Sequence, residues 1–422
     1  MLTTSLAPQS ASPTAAVVES VAPDFADLPE EGAASVVRIF YGTNRQPTGR
    51  DFATDPNNAY GSDRGVLQFG VAAVSIPPTH DYGQIERPSV WRFEFRERAD
   101  QHVVLRQIAP VSADRFSQAL RSATGRSRDR EAFVFVHGYN NDFAEAARRT
   151  AQIKHDLDFD GPAILFSWPS RGTTIGYGDD REQIAPTLPA LTRFLALVAQ
   201  QSGANRVHVI AHSMGNEFAT RAIAQLSSQA QGDLFDQLIL AAPDIDAMEF
   251  ATVIAPYLYP ACRRCTIYAA DHDLALAGSR HYHRRPRLGQ AGRHLVTFPA
   301  VPHINVVDAS EVSFDLFNLG HTDFGDDLLA DIRGVMHGLQ PAGRKLQPHH
   351  VVQAAWRFEP GLSGEANPND AVQQVSHERQ AVSRPTVESE QSASPPPHAP
   401  VKPAKPVESP SLWARFCDWW TG

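Results

Sequence analysis

Val207-His208-Val209-Ile210-Ala211-His212-Ser213-Met214-Gly215 decides how the rest of the chain is read. A short, largely apolar run ends in a turn, and a helical pattern starts at Asn216. This is strand, sharp turn, helix, with a serine on the turn. Such a turn lifts the hydroxyl to the top of a sheet and brings the next backbone N–H groups to the same point. Nucleophilic chemistry needs that geometry. A serine hydroxyl attacks only once a base takes its proton, and the oxyanion it creates needs donors already in place. The usual pattern is G-x-S-x-G, and Ala211 stands at its first position. Alanine is the smallest departure and still lets helix and strand approach closely. A serine in an ordinary strand-to-helix turn looks the same over so few residues, so the remaining chain has to discriminate.

Upstream of that stretch, Ala132 to Val136 is a continuous apolar run ending in His137-Gly138-Tyr139-Asn140-Asn141. A run apolar on both faces suits a parallel strand covered by helices on either side. Asp142 or Asn141 caps the helix expected to reach Leu157. Ala163 to Phe166 is the next strand, ending in Ser167-Trp168-Pro169-Ser170, and Gly172 to Asp180 reads as a glycine-rich loop. Ile184 to Gln201 is helical in pattern, with Pro186 and Pro189 placing its regular part from Ala190 onward. Earlier still, Val36 to Tyr41 is a strand after which Gly42-Thr43-Asn44-Arg45 turns away into a polar stretch, 46–66. Leu67 to Ile76 is a strand stopped by Pro77-Pro78, Val90 to Phe95 and His102 to Ile108 are edge strands, and Ala113 to Ala123 is a helix.

Downstream, Asn216 to Gln229 is the helix behind the serine. Strands follow at Leu238 to Ala241, Thr266 to Ala269 and, last, Asn305 to Val307, with a closing helix at Leu328 to Leu339. Strands alternate with helices and polar residues gather at strand exits. The fold class is therefore α/β, an open, mostly parallel sheet with helices on both faces and its site along the carboxyl edge. The divisions expected are a flexible leader (1–33), one domain (34–340), an extension (341–357), a disordered Pro/Ser/Glu-rich tail (358–408) and a short aromatic segment (409–422).

The 422 residues, 42% hydrophobic and 20% charged, suffice for one large domain with tails, and the net charge of -9 argues against a nucleic-acid partner. Three cysteines make a disulfide scaffold unexpected. Cys262-Arg263-Arg264-Cys265 has redox-like or metal-like spacing but no second ligand pair, so a structural role is expected. No run approaches the roughly 18 apolar residues of a membrane span. Met1-Leu2-Thr3-Thr4-Ser5 shows no export signal, which favours the cytoplasm. No cofactor and no metal are expected: Gly172 to Gly178 lacks a dinucleotide or phosphate-loop pattern, and His281 and His283 sit among arginines. Leu412-Trp413-Ala414-Arg415-Phe416-Cys417-Asp418-Trp419-Trp420 is a candidate contact for a partner or a membrane surface, or for the chain's own domain.

A serine hydrolase needs a nucleophile, a base, an acid that orients the base, and two oxyanion donors. Ser213 is followed by acids at strand exits and then by His321, each from a separate strand end. His321 is the expected base. His303 competes, but it precedes a strand rather than following one. Asp273 is the expected acid, with Asp244, Asp246 and Asp308 left as alternatives. The N–H groups of Tyr139 and Met214 are the expected donors. His137 and His212 are read as shaping their turns. Trp168 is a candidate pocket wall, with core packing as its ordinary role, and Tyr177, Asp179 and Asp180 are rim or capping candidates. Arg45 is read as the anchor of a buried carboxylate.

With these residues in view, the chain resembles the α/β-hydrolase superfamily, and more closely the bacterial esterase/lipase-like family of unknown function known as DUF900. The matching segments are Phe40-Tyr41-Gly42-Thr43-Asn44-Arg45, Val136-His137-Gly138-Tyr139-Asn140, Phe166-Ser167-Trp168-Pro169-Ser170, Ala211-His212-Ser213-Met214-Gly215-Asn216, Ala242-Pro243-Asp244-Ile245-Asp246 and Gly320-His321. They span about 35–340 and leave the tails outside. The resemblance implies a serine esterase-like fold and site with a small-molecule ester or related acyl substrate, and it supplies no particular substrate. The alternative is a hydrolase fold that has lost catalysis and serves as a binding or scaffolding protein.

Overall fold

The computed structural model describes residues 34–358, apart from 89–93, 95, 174, 175, 229–231, 260, 271–284, 300, 302 and 313–324. The described chain falls into two units, one made of residues up to Asp81 with 85–205, the other of 82–84 with Arg206 onward.

The first unit contains β1 (Ser35–Pro47), β2 (Tyr60–Ile76), β3 (Val104–Val111), β4 (Glu131–Val136) and β5 (Ala163–Ser167), in spatial order β4-β5-β1-β2-β3. β4, β5 and β1 are parallel, and β1, β2 and β3 are antiparallel. Its helices are α1 (Ala113–Arg126), α2 (Phe143–Asp156), α3 (Tyr177–Glu182) and α4 (Ile184–Gln201). Neighbouring residues on β1 show how helices come to lie on both faces, because consecutive strand side chains point to opposite sides. Phe40 meets Phe116 of α1 with ring centroids 5.8 Å apart, and Tyr41 meets Phe143 of α2 at 5.0 Å. Gly42, on the Phe40 side, leaves room for Phe194 of α4, whose ring would stand 2.3 Å from a β-carbon there. Gly70, paired with Tyr41 across the β1–β2 ladder, likewise makes room for the tyrosine ring. Each buried aromatic ring in these layers contributes roughly 2–3 kcal/mol through the area it removes from water.

The second unit contains β6 (Arg206–His212), β7 (Phe235–Ala241), β8 (Cys262–Ala269), β9 (Ile304–Asp308), β10 (Leu346–Pro348) and β11 (Trp356–Phe358). The order is β6-β7-β8-β9-β11-β10. β6 through β11 are parallel and only β10 runs against its neighbour. The helices are α5 (Gly215–Ser227), α6 (Ala247–Glu249) and α7 (Gly325–Met336). Buried Tyr268 on β8 donates its hydroxyl to Asp331 Oδ2 on α7 at 2.5 Å, and Arg344 donates to the same oxygen at 2.7 Å. The α/β class with a mostly parallel sheet therefore holds. Among the described residues no helix is long and apolar enough to cross a membrane.

Several local expectations change. β1 does not turn away at Gly42: it continues to Pro47 with Thr43, Asn44 and Arg45 buried, and β2 starts at Tyr60, inside the stretch read as polar loop. The register of the pair slips between Thr43 and Arg45 and again before Pro47. The edge strand read at His102 to Ile108 is β3, shifted to Val104–Val111; most of the one read at Val90 to Phe95 lies outside the described residues. α3 occupies the end of the stretch read as a glycine-rich loop. α4 is regular from Ile184, with Pro186 in its first turn, where proline costs no hydrogen bond, and Pro189 inside it. β9 is not the last strand: β11 pairs beside it and β10 beside β11, both from the segment read as an extension. Cys262 and Cys265 are free and buried on β8, three residues apart and so on opposite faces. Burial pushes the Cys262 thiol up to about 12, far from a reactive thiolate.

Candidate active site

In the second unit, β6 delivers the chain to Ser213, whose φ of 49° lies in the left-handed region that non-glycine residues avoid. Holding an L-residue there costs about 1–2 kcal/mol, so the surroundings must enforce it. The Ser213 N–H donates to Ala241 O at 3.0 Å, tying the turn to the end of β7. The Ser213 carbonyl accepts from Asn216 N and Asp244 N, each at 3.2 Å, and from the Asn216 side-chain amide at 2.8 Å. That amide also donates to Ala241 O at 3.0 Å. Asn216 is fully buried and joins the turn, α5 and β7. Sequence reasoning placed it only as a helix start; its proximity to the turn was the available signal. Met214 is buried, and no acceptor among the described residues takes its N–H, which lies at the amino end of α5. A helix amino end carries partial positive charge and unmet donors, suited to a developing oxyanion. Ser213 itself is 4% exposed, more enclosed than a turn hydroxyl is expected to be.

The neighbouring exits of the same unit account for three acids. Asp244 is buried and takes Arg287 Nε at 2.6 Å, while Arg287 Nη2 donates to the Asp244 carbonyl at 2.7 Å. Just before it, Ala242 also has a positive φ, 44°, and Gly289 lies against its backbone so closely that a β-carbon would stand 2.6 Å from the Ala242 carbonyl carbon. Asp246 caps α6 through Glu249 N at 2.9 Å. Asp308 accepts from Ser310 N and Oγ at 2.9 and 2.6 Å, and from His349 Nε2 at 3.3 Å. Val351 and Val352 N–H donate to His349 Nδ1, so Nε2 of that ring carries the proton. His303 lies immediately before β9, at the amino edge of strands parallel to β6, whereas Ser213 lies just beyond the carboxyl edge.

In the first unit, the exits of β4 and β5 are welded together. The His137 and Trp168 rings stack with centroids 5.1 Å apart. Trp168 Nε1 donates to His137 O at 2.7 Å, and Trp168 N donates to His137 Nε2 at 3.1 Å. His137 Nδ1 therefore bears the proton and donates to Gly138 O at 2.8 Å. His137 shapes this turn, as expected, and Trp168 is fully buried against it. Arg45 lies beneath. Its guanidinium donates to Ser167 Oγ at 2.9 Å and to the carbonyls of Gly61, Ser170 and Asn141 at 3.1, 3.0 and 2.7 Å. Neutral oxygens hold it, where a carboxylate anchor was expected. Burial pulls its pKa down to about 10 against the raising influence of Asp142 and Asp180. Asp180 collects Ser170 Oγ at 2.6 Å, Arg171 N at 2.8 Å and Asn140 N at 3.3 Å, bracing the turn that carries Tyr139. Burial raises its carboxyl against those bonds. Tyr177, at the start of α3, sets its ring edge-on to Tyr139 with centroids 5.5 Å apart.

Asp273 and His321 lie outside the described residues, as do His281, His283, the leader and the chain after 358. A cleft of about 640 Å³ in the first unit, lined by Val37, Phe40, Val71, Ala109 and Arg126, opens at the amino end of β1. It is on the wrong edge for chemistry at strand exits.

Residues 112–329, just over half the chain, match the family model described as alpha/beta hydrolase of unknown function (DUF900). An uncharacterized protein of Nostoc sp. (strain PCC 7120), alr1448, is 35% identical over 81 residues, which cover 18% of this chain and 21% of that protein. The chain thus spans about a fifth of that relative's length. Among solved structures, one from a structural analysis of two fungal esterases from Rhizomucor miehei aligns over 73% of this chain and 84% of its own, at 14% identity and a TM-score of 0.33.

Proposed function

The chain belongs to the DUF900 family of α/β hydrolases, and from that premise we propose that it is a serine hydrolase acting on carboxylic esters through an acyl-enzyme on Ser213. The observation that carries this reading is the left-handed Ser213, locked by Asn216, Ala241 and Asp244 between a parallel strand and a helix amino end. A plain structural serine has no need of an enforced strained turn.

In this reading His321 takes the Ser213 proton as Oγ attacks the substrate carbonyl, and returns it to the departing alcohol. Water then enters by the same route and releases the acid. Asp273 orients the imidazole. The Met214 N–H, at the amino end of α5, receives the oxyanion. Asp244, Asp246 and Asp308 already serve Arg287, the α6 cap and the Ser310–His349 pair, which supports Asp273 as the acid.

The test is labelling with a serine-reactive fluorophosphonate, together with turnover of p-nitrophenyl esters of increasing chain length. Wild type labels and turns over. Ser213→Ala does neither, with kcat/KM lower by about 10⁴-fold or more. His321→Ala loses acylation and His303→Ala keeps it. An intact wild type that never reacts sinks the proposal, and loss only in His303→Ala reassigns the base.

A further inference from the structure

Away from Ser213, the first unit gathers two imidazoles on one buried carboxylate. Asp156 ends α2, with no exposure of its side chain. His80, on the turn beyond β2, points Nε2 at Asp156 Oδ1, 2.9 Å away, and His155 places Nδ1 3.1 Å from the same oxygen. These ligand atoms all lie within 4.8 Å of one another. The other Asp156 oxygen accepts from Gln152 Nε2, and Arg149 in turn donates to Gln152 Oε1 at 2.9 Å. Behind His80, the Glu86 carboxylate takes Nδ1 at 2.9 and 3.0 Å and is itself held by Asp81 N at 2.7 Å.

A buried carboxylate at the carboxyl end of a helix sits where the helix dipole is also negative, so it requires a cation. His80, held between Asp156 and Glu86, is one partner for it. That leaves a second imidazole nitrogen, on half-exposed His155, converging on the same oxygen. Two imidazole nitrogens and a carboxylate oxygen gathered this closely form a ligand set for a metal ion. A carboxylate on the far nitrogen of a ligand histidine fixes the ring and makes it the better donor, which is the relation of Glu86 to His80. Tetrahedral ligands about 2.0–2.1 Å from zinc stand roughly 3.3 Å apart, so the two distances to the Asp156 oxygen need to open by only a few tenths of an ångström, while the two imidazole nitrogens already lie within 4.8 Å of each other.

We propose that His80 Nε2, His155 Nδ1 and an Asp156 oxygen bind a divalent first-row metal ion, zinc by ligand type, with Glu86 positioning His80. Two imidazoles and one carboxylate suit zinc better than calcium or magnesium, which take oxygen ligands. The exposed flank of His155 leaves a fourth position to solvent.

The experiment uses the full chain stripped with a chelator and dialysed. Zinc is titrated by calorimetry, and cobalt(II) by its visible absorption. One saturable equivalent per chain is expected, with an intense tetrahedral-type cobalt spectrum. His155→Ala, at an exposed position that leaves the fold intact, weakens binding at least 100-fold. Glu86→Gln weakens it about 10–100-fold, and Asp156→Asn abolishes it. A His281→Ala/His283→Ala double variant binds as wild type does. No saturable equivalent in wild type, or equal affinity in wild type and His155→Ala, overturns the proposal. Transfer of the loss to the double variant does so as well.

Discussion

Asp244 and Arg287 show how a residue far along the chain supports the serine turn. Asp244 N holds the Ser213 carbonyl while its side chain is neutralised by a guanidinium as buried as itself. Removing one partner of such a pair leaves a buried charge uncompensated, at a cost of about 3–5 kcal/mol. Arg287→Gln is therefore expected to lower the unfolding free energy by that amount in urea titrations and, under the proposed function, to reduce ester turnover as the turn loosens. A change below about 1 kcal/mol would place the pair among interactions that merely break even. The pairing was not legible in the sequence, since Arg287 follows an arginine-rich segment 43 residues beyond Asp244 and looks solvated. The strand–turn–helix at Ser213 was legible because an apolar strand, a small residue and a helix pattern bracket it at fixed spacing. Asn216 was not, because an asparagine in a helix's first turn has many ordinary uses.

At the level of elements, strands and helices announced themselves wherever burial follows a simple period. β4, β5 and β6 carry apolar runs and were found within a residue or two, whereas β7 begins three residues before the Leu238 start read for it, because Asp236 and Gln237 interrupt its apolar run. β1 was truncated because its last third is polar and buried at once. Thr43 Oγ1 donates to Ser167 O at 2.7 Å, Asn44 donates to Thr187 at 3.1 Å, and hydropathy cannot see such pairings. β10 and β11 are only three residues each, too short for any periodicity. Packing between elements sets a paired prediction. Gly42→Ala forces a methyl into the Phe194 ring and is expected to cost about 1–3 kcal/mol by overpacking. Gly125→Ala, on the open side of α1 with nothing within 4 Å, is expected to stabilise by about 0.5–1 kcal/mol. Thermal unfolding of the two variants checks both signs, and a shift in the same direction for both would contradict the layer arrangement.

Across the whole molecule, stability is expected to depend on pH through His208, enclosed 3.9 Å from Asp236. Burial pushes this imidazole down to about 4, which Asp236 opposes and Arg206 reinforces. In the unfolded chain a histidine titrates near ~6.5. Above that value it is neutral in both states. As the pH falls from about 6.5 towards 4, only the unfolded chain takes the proton, so stability present at neutral pH drains away, by a total on the order of 3 kcal/mol. Urea unfolding at pH 7 and pH 5 should show a smaller difference for His208→Gln than for wild type; identical differences would assign the loss to other groups. Arg45 has a consequence of another kind, for the order of folding. Its acceptors come from chain positions 16, 96, 122 and 125 residues away. A guanidinium is dried safely only when its acceptors have arrived, so an arrangement of β1, β4 and β5 that buried Arg45 without them would carry an uncompensated desolvation cost. Misregistered arrangements that bury it unpaired are expected to be disfavoured against the finished sheet. The cation that closes the first strand is thus expected to work as a proofreading device, selecting the register in which all of its acceptors meet.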